Sequence, residues 1–121
     1  MSTTNFTLSN PIGARVILDV DVDETPELDL RGGATTLYRV RIDNTANTAA
    51  SYVKFYDQTT VTLGTSVPFM ILKAKAGVVT KVAILGGLAF GTGLSVAAVT
   101  AGGTGGTTGP TGAVLLRLHT A

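Results

Sequence analysis

The chain has 121 residues, of which 14% are charged and 45% hydrophobic, with nine Lys and Arg against eight Asp and Glu. That length supports one domain around one two-layer core. A net charge of +1 supplies no strong field to recruit nucleic acid or an acidic surface, and the absence of Cys removes disulfides and thiolate metal sites.

The scarcity of charge has a further meaning. Ordinary soluble domains are about 25% charged, and a small domain has much surface to cover. This chain must either coat itself with Thr and Gly or bury part of its surface against other subunits. The second reading is the sharper one, because an exposed apolar face is a liability on a lone domain.

The polar opening from Met1 lacks the basic and apolar regions of a secretory signal. It predicts an N-terminal arm over 1–13, followed by a β-sandwich over 14–121. Arg15 to Asp23 alternates, with Val16, Leu18, Val20 and Val22 expected inward and Ile17, Asp19, Asp21 and Asp23 outward. After the breaks at Pro26 and Gly32-Gly33, Thr36 to Asp43 alternates again. Tyr38, Val40 and Ile42 are expected inward there, with Arg39, Arg41 and Asp43 outward. Asn44 to Ala50 reads as a polar turn. Ser51 to Asp57 sets Val53 and Phe55 opposite Tyr52, Lys54 and Tyr56.

Val67 to Lys73 reads as a strand begun by Pro68, Ala76-Gly77 as a turn, and Val78 to Leu85 as a strand. Gly86-Gly87 and Gly91 to Gly93 bracket Leu88 to Phe90. Leu94 to Thr100 is a strand with Leu94, Val96 and Ala98 on one face. The stretch from Val78 to Val99 is the most apolar, but its Gly pairs and Lys81 mark strands and a connection, not a membrane helix. Ala101 to Gly112 is nearly all Gly and Thr, which predicts an exposed loop, either a hairpin tip or a contact loop ordered in an assembly. Ala113 to Thr120 closes the domain, with Val114, Leu116 and Leu118 inward and Leu115, Arg117 and His119 outward.

About seven short strands at this spacing predict an all-β antiparallel sandwich, jelly-roll or immunoglobulin-like. The pattern alone does not choose between the two topologies.

Motifs for chemistry are sparse. Asp19, Asp21, Asp23, Glu24, Glu27 and Asp29 alternate like a calcium loop. That loop needs Gly sixth and Glu twelfth, where this chain has Glu24 and Leu30. A charged outer strand face explains the acids more simply. His119 is the single His and sits outward on the last strand, a poor position for a base. No Gly-x-Ser-x-Gly elbow occurs, and nothing places two carboxylates across a cleft as in glycosidases. The Gly-rich loop runs into Ala113-Val114-Leu115, not the Lys-Ser/Thr and helix of a phosphate cradle. Arg39, Arg41, Lys54, Lys73, Lys75 and Lys81 are dispersed in sequence. Tyr52, Phe55 and Tyr56 are expected in core and interface more than in base stacking. The residues thus point to no enzyme, no catalytic, metal or cofactor site, and no nucleic-acid, membrane or small-molecule partner.

Several phrases resemble small β-rich structural proteins of tailed bacteriophages. They are Leu37 to Thr48, Tyr52 to Asp57, Gly87 to Thr100 and the Gly/Thr loop before the last strand, together spanning roughly residues 35 to 119. The resemblance implies a virion component, in the first place a capsid decoration (cement) protein. Such a protein, assembled in the host cytoplasm, sits on the capsid surface as a homotrimer and clamps neighbouring copies of the major capsid protein. The arm of residues 1–13 would then reach across a neighbour. The alternatives are a tail, fibre or baseplate component, and a carbohydrate-binding sandwich using Tyr52 and Tyr56. The resemblance carries over no site residues.

Overall fold

A computed structural model describes residues 15–121. The N-terminal arm expected over 1–13 lies outside the described residues. Seven strands form, with no helix among the described residues: β1 (Arg15–Val22), β2 (Thr35–Asp43), β3 (Ser51–Asp57), β4 (Met70–Ala74), β5 (Val79–Phe90), β6 (Leu94–Val99) and β7 (Val114–Thr120). They pair antiparallel in two sheets, β1-β7-β2-β5 and β4-β3-β6, which pack into the expected β-sandwich.

The strand order decides the topology. Between β1 and β2 the chain crosses to the free edge of β6. There Glu27 and Val96 exchange backbone hydrogen bonds of 2.8 and 3.0 Å, flanked by Leu30 N to Leu94 O and Ala98 N to Asp23 O, each 2.8 Å. Pro26 cannot donate and Asp29 adopts φ 48°, so this stretch pairs without becoming a regular strand. Counted as a reduced strand, it turns the second sheet into segment–β6–β3–β4. The chain then passes between sheets in the interleaved order of a jelly roll. The segment also covers an edge that would otherwise be open to pairing.

Two β-bulges alter the expected faces. On β1, Ile17 pairs with Leu118 and Asp19 with Leu116, so Ile17 and Asp19 point inward. The register shifts before Val22, which returns to the core. Val16, Leu18 and Val20 therefore face outward, the reverse of the simple alternation, and Val20 is 56% exposed. On β2 the shift between Leu37 and Arg39 gives the core position to Leu37 in place of Tyr38. An extra residue inverts every later side chain, which a period-2 pattern does not register.

β4 begins at Met70, later than the expected Val67. Phe69 still donates its N–H to Phe55 O at 2.7 Å, and its ring meets Phe90 edge-on at 5.3 Å. β5 runs through Gly86-Gly87, both at positive φ, as a bulge whose tip, Leu85, stands in solvent. Gly87 is obligatory there, since a Cβ would lie 2.8 Å from the Tyr38 ring. The core fills from both sheets: Leu37, Val40, Ile42, Leu116 and Leu118 face Val53, Phe55, Leu94, Val96 and Ala98. Each buried Val, Leu, Ile or Phe side chain stabilises by about 1.5–3 kcal/mol.

Candidate binding surface

The two sheets present very different outer faces. On β3 the side chains opposite the core are Tyr52, Lys54 and Tyr56. Instead of reaching water, Lys54 and Tyr56 are fully buried. The Gly/Thr segment 101–112 folds down over them. Lys54 Nζ donates to Thr104 O at 3.2 Å and Gly106 O at 3.0 Å, and Gly102 lies flat against the Tyr52 ring. Lack of side chains is what allows this approach: a Cβ on Gly102 would lie 3.1 Å from the Tyr52 ring, and one on Gly106 would lie 2.7 Å from Ala101 O within the segment itself. The segment is thus a lid on the second sheet, not a projecting tip. Burial lowers the Lys54 pKa and raises that of Tyr56. With Tyr56 buried and Tyr52 partly covered, the two rings do not form the exposed pair that the carbohydrate-binding alternative would use.

The lid is tied at its far end by a buried amide pair that the sequence offered only as a polar turn. Asn44 Nδ2 donates to the carbonyls of Ala49, Ala74 and Lys75 at 3.1–3.2 Å. Its Oδ1 accepts from Ser51 Oγ and Asn47 Nδ2, both at 2.8 Å. Asn47 in turn accepts from Gly112 N at 2.7 Å and donates to Gly112 O at 3.1 Å. Three connections therefore share one polar knot. At the opposite end of β3, Asp57 accepts from the backbone N–H groups of Gly91, Thr92 and Gly93, which pull its pKa down.

Among the described residues, the outer face of β1-β7-β2-β5 carries no such cover. Its register sets out three rows across the strands: Val16, His119, Arg39 and Ala83; then Leu18, Arg117, Arg41 and Lys81; then Leu115, Asp43 and Val79 beside Val20. Cations that are dispersed in sequence thus become neighbours. Arg117, Arg41 and Lys81 stand on adjacent strands about 4.8 Å apart, an arrangement of like charges that costs stability. Burial, and then the charges of Arg39 and Arg117, lower the pKa of His119. Asp43 is the one carboxylate in these rows. The Thr45 hydroxyl and N–H, at 2.6 and 3.0 Å, hold its pKa down, with a smaller contribution from Arg41.

The acids gather elsewhere. Asp19, Asp21 and Glu27 bring one carboxylate oxygen each within 4.8 Å of one another at the β1 edge, where a cation could sit between them. Asp19 is pushed up to about 6, chiefly by burial and further by the charges of Glu27 and Asp21. Of the other acids in the run, Asp23 accepts from Thr25 N and Asp29 from Gly33 N, so both serve as turn caps. No protein-family model matches this chain, and no curated protein matches it in sequence.

Proposed function

We propose that this chain is a virion structural protein, a decoration protein that binds and stabilises the lattice of a phage major capsid protein as a homotrimer. The observation that carries the reading is the outer face of the four-stranded sheet, which no other described residue covers. The second sheet is closed by the chain's own lid. The first leaves Val16 and Val20 exposed beside a row of cations. A face of this kind suits burial against protein, since interfaces combine apolar area with Arg. The 14% charge content agrees with a chain that shares its surface with neighbours. A jelly-roll order hosts capsid and lectin domains alike, so the fold by itself assigns no role. Of the two tyrosines a sugar binder would use, Tyr56 is buried and Tyr52 is partly covered.

The test is addition of purified protein to undecorated phage heads. Saturable binding at a fixed ratio to the major capsid protein, with new density on the outer shell in a reconstruction, is the expected result. Protein that stays in the supernatant, or labels only tails, overturns the reading.

A further inference from the structure

The geometry points to a head-to-tail contact in which the basic row of one copy receives the acidic β1–β2 segment of a second copy. This deepens the trimer reading above and rests on it for the number of copies.

Two like-charge clusters of opposite sign stand on one small chain. Six of its eight acids (Asp19, Asp21, Asp23, Glu24, Glu27 and Asp29) lie in residues 19–29. Of these, Asp19, Asp21 and Glu27 crowd their oxygens within 4.8 Å. On the outer sheet face, Arg117, Arg41 and Lys81 are adjacent across three strands. Each cluster repels itself in the isolated chain.

They cannot neutralise one another within a copy. Asp19 alternates with Leu18 and points to the inner side of the sheet, and the acidic segment continues away to the β6 edge. A second copy can present its acids to the row and relieve both repulsions together. The apolar strip of Val16, Leu18 and Val20 borders the row, and Leu28, 47% exposed, stands within the acidic segment. The contact therefore has apolar material on both sides. The two patches differ, so the contact can repeat head-to-tail from copy to copy, and the three copies of the trimer reading close it as a ring.

The experiment is light scattering and sedimentation of the full chain with three variants: Arg41→Glu with Arg117→Glu, Asp21→Lys with Glu27→Lys, and all four together. The expected results are a wild-type trimer that loosens with salt and monomers for both double variants at wild-type circular dichroism. Association recovers in the quadruple variant, whose charges are complementary again. Each double variant should weaken association about 100-fold. Trimers that persist in both double variants, or a quadruple variant that stays monomeric while folded, overturn the inference.

Head binding is measured on the same samples. A monomeric wild type that decorates heads overturns this contact and leaves the decoration reading intact. A trimer that behaves as described but ignores heads does the reverse. DNA retained by the wild type and lost with Arg41→Glu and Arg117→Glu, in a protein that does not self-associate, assigns the basic row to nucleic acid and overturns the contact.

Discussion

The outer faces of the two sheets start from the same alternation and end differently. On β3 the outward Lys54 is buried, its ammonium held by carbonyls of a lid that glycine makes thin enough to lie flat. On β7 and β2 the outward Arg117 and Arg41 remain at the surface beside one another. The first cation is satisfied within the chain and serves stability. The others lower stability in the isolated chain, and their placement makes sense through something that binds them. A charged residue in a strand thus acquires its role from what the topology lays over it. Substitutions on the two faces should therefore move stability in opposite directions.

The largest effect is expected where the covered face is anchored. Asn44→Ala removes three donated and two accepted hydrogen bonds and strands buried carbonyls. A loss of about 3 kcal/mol in urea unfolding is expected. Lys54→Ala should lose about 2 kcal/mol, because it empties a packed site and frees Thr104 O and Gly106 O. Lys54→Met should lose less than Lys54→Ala, since it keeps the packed stem and takes no charge out of water. Hydrogen exchange in 101–112 should rise in both. An unchanged exchange pattern would mean that Lys54 does not hold the lid.

The contrast also separates what the sequence made legible from what it concealed. The strands and the inward sets on β3, β6 and β7 follow from alternation, and the antiparallel pairing from short connections, all of them local properties. The faces of β1 and the Tyr38 position do not, because one bulge residue inverts the alternation and depends on the partner strand. The lid was hidden for a related reason. Gly and Thr in 101–112 report that no core side chain is present, and they are silent on what the backbone covers. The basic row was least visible of all. Arg39, Arg41, Lys81 and Arg117 come from three strands, and only register makes them neighbours. Asn44 and Asn47 did carry a signal, two amides in one short turn, but their burial depends on two distant connections.

Smaller effects sharpen the comparison at the uncovered end. Asp19 titrates near 6 in the folded chain against an ordinary 3.8, so the folded state binds the proton more tightly than the unfolded one. Stability then falls as pH rises from about 4 to about 6. Asp19→Asn should raise stability at pH 7 by about 1 kcal/mol after solvent screening, and flatten that part of the profile. Arg117→Thr should stabilise the monomer by about 0.5 kcal/mol by relieving the row, while weakening self-association. A destabilised Arg117→Thr monomer would count against the repulsion and with it the contrast between the faces.

The smallest effect is the most local probe. His119 lies between the Arg39 and Arg117 charges on the bare face, and burial and those charges lower its pKa from 6.5. The unfolded chain therefore takes up the proton first as pH falls, and stability declines from about 6.5 down to the folded pKa, below which it levels off. His119→Gln should remove that decline, a change of a few tenths of a kcal/mol. Proton NMR titration of the single imidazole reads the same field directly. In the monomer its midpoint should lie below 6.5, and Arg117→Thr should move it upward. If carboxylates from a second copy cover the row, self-association should move it upward as well, because an opposite charge within about 4–6 Å favours the imidazolium. A midpoint unchanged by dilution across the association range would place the neighbouring copy away from this face.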